Sequence, residues 1–353
     1  MKKLLMVVGV LCVLLAGFAL KTMRDAGQFR TIAPHAPGKC KPVPGMPGAE
    51  DITFHPSGEY AYVSSHDRRA AMAAGTAVRG DLYRYTLNGD TPPVLLTGSF
   101  QGTFQPHGIS LYVDPTTGAQ TLFVVNHLPG HRNTIERFEV GPDGLLVHRA
   151  TREGAELVSP NDVVAVDAER FYVTNDHGNP PGIWQTLEDY LQLGQGNVLY
   201  FDGRGFKKVI EGTTYANGIN RSHDGATVYL AQAVGRTLNS YSRDVETGAL
   251  TLRHSLALDT GPDNIELDAA GNLWVAAHPK LLDFAAYAGD TTGKARAPAQ
   301  VLRLSGTDAD MKVTEVFLDD GQQTSGTATA AISGKRMLLG PVFEKDFLDC
   351  ELP

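Results

Sequence analysis

Apolar positions along most of this chain fall in short alternating runs bounded by Gly, Asp, Asn or Pro, the pattern of β-strands separated by turns. Six of these runs open with a polar pair. The pairs are Glu50-Asp51 before ITF, His107-Gly108 before ISLYV, Asn161-Asp162 before VVAV, Asn217-Gly218 before IN, Asp263-Asn264 before IELD, and Ser325-Gly326 before TATAAI. Their second members lie at 51, 108, 162, 218, 264 and 326, in steps of 57, 54, 56, 46 and 62 residues, which is a repeat of propeller length. After each run come a turn signal and a second strand, as in HPSGEYAYVSS, SHDGATVYLA and DAAGNLWVAA, and most units add two more strand-like runs before the next pair. Four antiparallel strands per unit make one blade. The predicted fold is all-β: a six-bladed β-propeller with four-stranded blades, one domain over residues 40–353.

The N-terminus breaks this pattern. Lys2-Lys3 precede an unbroken apolar stretch from Leu4 to Leu20, followed by Lys21, Arg24 and Arg30, so residues 1–30 read as a signal or anchor segment. A cleavage site after Gly17-Phe18-Ala19 is poor, and Leu11 before Cys12 is not the small residue of a lipoprotein site. An uncleaved anchor is the reading adopted, and either fate predicts an exported protein, periplasmic, secreted or membrane-anchored facing outside. Export gives the cysteines a meaning. Cys12 lies in the apolar segment, while Cys40 and Cys350 bracket the repeats, and an oxidising compartment permits a bond between them that closes the ring. The alternative is two unpaired thiols.

Composition adds exclusions. The net charge of −8, with no basic cluster in the body of the chain, disfavours nucleic acid as a partner. No GxSxG elbow, HExxH or CxxC spacing occurs, which argues against a serine hydrolase and a compact zinc site.

If each polar pair starts the innermost strand of its blade, all six ring one mouth of the central channel. The second strands return to that mouth and end at or near His66, His127, His177 and His278. Carboxylates (Glu50, Asp51, Asp162, Asp263) and amides (Asn161, Asn217, Asn264) then converge without thiolates, a donor set suited to Ca²⁺. Each dipeptide alone is an ordinary turn; their equivalent placement favours a metal ring.

The motifs GAEDITF, PHGIS, FVVNH, SPNDVVAV, FYVTNDH, ANGIN, PDNIELD, NLWVAAHP and VFEKDFLDCEL, in this order from about Cys40 to Leu352, resemble the paraoxonase (arylesterase/lactonase) family. The resemblance implies a six-bladed propeller with two calcium ions. Glu50, Asn161, Asn217, Asp263 and Asn264 match the residues holding the catalytic calcium; Asp51, Asp162 and the carbonyl of Ile109 match those of a structural one. His107 and His127 match the family's proposed histidine dyad, Cys40 and Cys350 its disulfide, and Asp176 and His278 residues near its site. The retained apolar N-terminus also resembles the family.

The chemistry implied is hydrolysis of lactones and aryl esters, with a calcium-polarised carbonyl attacked by water, His107 as base and His127 tuning or relaying its proton. Asp263 is an alternative base or nucleophile. Tyr215, with Asp176, His177 and His278, is placed in the substrate pocket. The rival readings are a non-catalytic, calcium-stabilised propeller that binds a ligand or partner, and a gluconolactonase-like lactonase. At the rim there is one departure, while the segment NPPGIWQTLEDYLQLGQGN after His177 resembles the family's active-site helix. The segment DRRAAMAAGTAVRG after His66 does not resemble the family's flexible loop. In 181–195, Trp184, Leu187 and Leu191 share one helical face, most simply for core packing, with a substrate lid or membrane contact as the alternative.

Overall fold

The structure is a computed structural model, and it describes residues 1–87 and 91–353. A first helix α1 (Lys2–Asp25) leads into strand β1 (Cys40–Val43). Six blades follow around one axis. Blade 1 contains β2 (Ala49–Phe54), β3 (Tyr60–Ser65), β4 (Asp81–Thr86) and β5 (Val94–Leu95); blade 2 contains β6 (Pro106–Val113), β7 (Gln120–Leu128), β8 (Arg132–Val140) and β9 (Leu146–Glu153). Blade 3 contains β10 (Pro160–Ala165), β11 (Phe171–Asn175), β12 (Gly196–Phe201) and β13 (Phe206–Thr213). Blade 4 contains β14 (Ala216–Arg221), β15 (Thr227–Gln232), β16 (Thr237–Arg243) and β17 (Leu250–Ala257); blade 5 contains β18 (Gly261–Leu267), β19 (Leu273–His278), β20 (Ala299–Ser305) and β21 (Lys312–Asp319). Blade 6 is built from β22 (Thr327–Ser333), β23 (Arg336–Pro341) and β24 (Phe347–Glu351), and its fourth strand is β1. All pairings within the blades are antiparallel, and the inner strand is the one that carries or directly follows the polar pair.

The blades pack through six apolar clusters, one at each junction. Trp274, Val301 and Phe317 of blade 5 meet Ala330, Met337 and Leu348 of blade 6, and Phe123 and Val125 of blade 2 meet Phe171 and Val173 of blade 3. Strands buried on both faces explain why their apolar runs are nearly continuous.

Blade 6 shows how the ring closes. Strand β1 pairs with β24 from Cys40 opposite Cys350 to Val43 opposite Phe347, so the chain start supplies the outer strand of the last blade. The predicted disulfide, Cys40–Cys350, crosslinks the first of these pairs across a sequence separation of 310. The sequence reading had Cys40 as a bracket outside the blades; the structure makes it part of one.

Five inner strands are irregular at their polar pair, and that of blade 6 is irregular just after it. Register shifts fall between Ala49 and Asp51, Pro106 and Ile109, Pro160 and Val163, Ala216 and Ile219, Pro262 and Ile265, and Thr327 and Thr329. A bulge leaves its extra residues out of the ladder and re-aims their side chains. Here it frees the polar pairs to face the axis. The backbones also come close there. A Cβ on Gly108 would lie 2.5 Å from Asp162 Oδ1, and one on Gly218 would lie 2.5 Å from the Asp263 carbonyl oxygen. Glycine at both positions is a packing requirement.

Three further helices cap this mouth: α2 (Arg68–Ala74), α3 (Ile183–Leu191) and α4 (Leu281–Gly289). They follow β3, β11 and β19, whose ends carry His66, His177 and His278. The Ala-rich segment after His66 becomes α2 because Asp67 accepts from the Ala70 N–H at 2.8 Å and Gly75 ends the helix in the left-handed region at φ 63°.

The disulfide acts on an already paired β1, so Cys350→Ala should leave the fold intact and lower its melting temperature. The chain-entropy model puts the upper bound of the loss at about 5–6 kcal/mol. Thermal unfolding of wild type with and without reductant is the check, and equal melting temperatures for wild type and variant would remove the bond from the account of stability.

Candidate active site

Neighbouring members of two polar pairs, Glu50-Asp51 and Asn161-Asp162, take different partners at the bulged strand starts. The first members face the mouth: Glu50 Oε1 lies 3.3 Å from His107 Nε2, and Asn161 donates to Asp176 Oδ2 at 3.3 Å. The second members tie inner strands together below it. Asp51 Oδ2 accepts from Ile109 N at 2.7 Å, and Asp162 Oδ2 accepts from Ile219 N at 2.8 Å. Asn264 spans the channel from blade 5 to blade 1, donating to Glu50 Oε1 at 3.1 Å. Asp263 turns to His278, with Oδ2 2.7 Å from Nε2.

All of these groups except the half-buried His107 and Asp176 are buried, and the balance of charge is unfavourable. Burial, followed by the neighbouring Glu50 charge, raises the Asp51 carboxyl well above its ordinary range, against the N–H groups of Ile109 and Ile52. Asp162 is raised by burial and by Asp51. Burial also raises Asp263, with His278 opposing. For Glu50, burial is outweighed by His107 and Arg68, and its pKa falls. A cation on the axis would offset these costs.

Four buried oxygens of the mouth, Glu50 Oε2, Asn161 Oδ1, Asn217 Oδ1 and Asn264 Oδ1, have no hydrogen-bond partner. Buried acceptors are normally satisfied. Unpaired oxygen atoms and no thiolate are what a hard cation takes, so the residues present fit Ca²⁺. Among the described residues no three His, Cys, Asp or Glu side chains group into a metal site by themselves, so a cation here would depend on the carboxamides.

The imidazoles of blade 2 are ordered by their partners. Asn133 Nδ2 donates to the carbonyls of Leu157 and Val158, which turns Asn133 Oδ1 toward His127 Nδ1 at 2.8 Å. His127 therefore carries its proton on Nδ1 and presents a lone pair on Nε2. That atom lies 2.8 Å from His107 Nδ1, so His107 donates there, and its own Nε2 faces Glu50 Oε1 at 3.3 Å. Burial and the adjacent His107 pull the His127 pKa down to about 4, which keeps this imidazole neutral. His66 is buried beside the pair, with Nε2 unpartnered and its pKa lowered to about 3 by burial and by Arg68.

On blade 3, His177 sits between Asp176 Oδ1 at 2.8 Å and Asp189 Oδ1 at 3.1 Å. Burial opposes its charge, but the two carboxylates prevail and raise its pKa to about 10. The imidazolium thus clamps α3 to the mouth and, through Asp176, reaches Asn161. Tyr215 packs edge-on against His177, with centroids 4.8 Å apart, and holds a φ of 60°, a costly conformation for an aromatic residue. His278 stacks on Phe284 of α4 at 3.6 Å. Tyr215, Asn217 and His278 line one cavity of about 250 Å³.

The helical stripe is a correction. Trp184 and Leu191 are 65% and 49% exposed and Leu187 is half-buried, so this face is not core packing. The physical reason is that α3 lies over a polar mouth. Its inward face is acidic: Glu188, the buried residue, accepts from Gly178 N and Asn179 Nδ2, while Asp189 pairs with His177.

Two residues escaped the sequence reading. Asn133 could have been found from hairpin register, because the β7–β8 turn sets it opposite His127. Arg68 carried no such signal. Its guanidinium donates to the carbonyls of Gly48, Pro106 and Val342 at 3.2, 3.3 and 3.4 Å, joining blades 1, 2 and 6, and its charge acts on Glu50.

Comparison with known proteins gives a consistent result. The arylesterase family profile matches residues 32–352. The chain is 33% identical to serum paraoxonase/arylesterase 2 of Gallus gallus over 354 residues, covering 98% of each chain. It is 34% identical to serum paraoxonase/arylesterase 1 of Homo sapiens, covering 92% of each. A solved gluconolactonase from Xanthomonas campestris shares the fold, with a TM-score of 0.53 at 16% identity over 92% of this chain and 99% of that one.

The His177 clamp makes a pH-dependent prediction. A histidine whose folded pKa is raised stabilises fully below its unfolded value of about 6.5 and loses that contribution as pH climbs toward the folded value. Asp189→Asn should therefore lower the melting temperature by about 2–4 °C near pH 6, and the gap should close toward pH 10. A gap independent of pH would mean that the ion pair is not what holds α3.

Proposed function

The chain belongs to the arylesterase family, and we propose that it is an exported, calcium-dependent hydrolase of lactones and aryl esters. The observation that carries this reading is the juxtaposition at one mouth of four unpartnered buried oxygens and the His107–His127 pair, with His107 Nε2 beside Glu50 Oε1. Glu50, Asn161, Asn217, Asp263 and Asn264 would hold a catalytic calcium. Asp51, Asp162 and the Ile109 carbonyl would hold a structural one. Bound at the mouth, Ca²⁺ supplies polarisation of the substrate carbonyl and counter-charge for its oxygen.

The protein's own residues handle the proton. His107 Nε2 accepts a proton from the attacking water while the water oxygen bonds to the carbonyl carbon. His107 keeps its Nδ1 proton, because passing it on would charge His127, whose pKa lies near 4. His127 and Asn133 thus hold the tautomer in place of relaying charge. The proton on Nε2 then goes to the leaving oxygen as the carbon–oxygen bond breaks, giving acid and alcohol, or a hydroxy acid from a lactone. The bond from Asp263 Oδ2 to His278 favours a ligating over a basic role for that carboxylate. Arg68 fixes the strand starts of Glu50 and His107 from behind.

Two exposed apolar surfaces support a membrane association: α1, 24 residues long with no buried residue, and the outer face of α3. Gluconolactonase-like structural similarity is compatible with the same class of substrate, and turnover separates both from a non-catalytic propeller.

Hydrolysis of a panel of γ- and δ-lactones before and after chelation is the direct test, and no turnover by the calcium-loaded protein would reject the proposal. Asn217→Ala and Asp263→Ala should lose activity and remain folded, whereas Asp51→Ala and Asp162→Ala should first lower thermal stability. His107→Gln should lower turnover by about 10²–10⁴-fold, the usual worth of a general base, with calcium affinity unchanged; His127→Gln should cost less. Near-normal turnover in His107→Gln would move the base to another group.

A further inference from the structure

We infer that Asp25 and Ala26, which precede the ring, form one wall of the substrate pocket, and that Ala26 sets the room available to the apolar part of the substrate. This rests on the proposed hydrolase reading of the mouth. The cavity of about 250 Å³ lined by Asn217 and His278 is also lined by Leu281, Phe284 and Ala26, with Phe284 stacked on His278 at 3.6 Å. Asn217 Oδ1 is unpartnered. A substrate whose carbonyl is held at the mouth beside Asn217 has Ala26, Leu281 and Phe284 as the apolar walls for its carbon chain.

The wall is fixed by backbone contacts. Leu281 N donates to the Ala26 carbonyl at 2.9 Å, and Ala26 is 7% exposed. Gly27 follows at φ 72°, where a Cβ would lie 2.2 Å from the carbonyl oxygen of Pro279, the residue after His278. Only glycine passes under that carbonyl without displacing the His278 loop. Asp25 adds polar contacts to the rim: Lys21 at 2.6 Å, Gln192 at 3.3 Å and Arg236 at 3.8 Å. Further on, Arg30 pairs with Glu315 at 2.5 Å, and His35 makes both backbone bonds to Leu318 of β21. The segment is therefore a strap across the mouth, tied at α3, α4 and blade 5. Cleavage after Ala19 would leave it in place, so the inference holds for either fate of the leader.

The exposed ion pairs of Asp25 contribute little; the close approach at Ala26 and Gly27 decides the position. Ala26 is buried and lines the cavity, so a larger side chain there takes up room in it.

The test uses full-length protein in detergent with two γ-lactones, one unsubstituted and one bearing a long alkyl group, and the two matching lactams as non-hydrolysable probes in calorimetry. Ala26→Leu should raise KM for the alkyl lactone and Kd for the alkyl lactam about tenfold, the lower end of what a methylene-sized misfit costs in a pocket. Its KM for the unsubstituted ring should stay within about twofold. Asp25→Asn, a milder change that keeps the backbone contacts, should shift the alkyl substrate in the same direction by less than about fivefold. Equal effects on both rings, no effect on either, or failure of wild type to bind the alkyl lactam would overturn the inference. Wild type that binds the alkyl lactam in an Ala26-dependent way but hydrolyses no lactone would retain the wall and reject the hydrolase.

Discussion

The burial of negative charge on the propeller axis is the constraint from which the rest of this structure follows. Inner strands can meet closely only if their bulged starts present small or polar residues inward, and four of those residues are the carboxylates Glu50, Asp51, Asp162 and Asp263. The protein compensates them in part. Backbone N–H groups of the next blade reach Asp51 and Asp162, His278 reaches Asp263, and Arg68 and His107 act on Glu50. The remaining cost appears as raised pKa values for three of the four. Isolated buried charge is expensive, whereas charge around a divalent cation becomes a folding contribution. In that sense the proposed metal and the ring would stabilise one another.

A ring built this way must resist opening, because separating any two blades would expose the axial charges to water. The last blade is where separation would begin, since its outer strand comes from the other end of the chain. Pairing of β1 with β24 and the Cys40–Cys350 bond are both placed at that seam. Arg68 joins the carbonyls of blades 1, 2 and 6 on the inner side of the same region. Outer and inner ties therefore flank the closure point.

The blades and much of the mouth were legible in the sequence because both obey short-range rules. Alternation marks strands, and a polar pair recurring at blade length marks the inner strand, so Glu50, His107, Asn161, Asn217 and Asp263 could be placed on one face. What was not legible depends on contacts between distant segments. The bulges at the pairs have no composition of their own, since Pro106-His107-Gly108 and Pro160-Asn161-Asp162 share only a proline before the shift. Arg68 sits in an Ala-rich stretch that reads as an unremarkable surface helix, and its role appears only when three blades surround it. The stripe of Trp184, Leu187 and Leu191 has the correct period for a buried face. Periodicity reports that a helix has two faces, without reporting which one meets the protein, and here the acids at 188 and 189 win the inward side through a buried imidazolium and specific hydrogen bonds.

That inversion links α3 to the strap. A helix whose inward face is held by His177 and whose outward face is apolar cannot bury its outer residues within this chain, and α1, equally apolar and exposed, emerges from the same rim. Lys21 of α1 donates to Gln192 at the end of α3 at 2.9 Å, so the two apolar surfaces are physically joined. Whatever covers them would press on the elements that frame the cavity beside Asn217: the strap at Ala26, the end of α3 and the start of α4. Gln192 and Asp25 thus connect the exposed apolar helices to the residues lining the cavity, while backbone N–H groups hold the carboxylates of the axis below. Asn217 and His278 reach the pocket from strands of the ring, whereas Ala26, Leu281 and Phe284 reach it from segments packed on the ring.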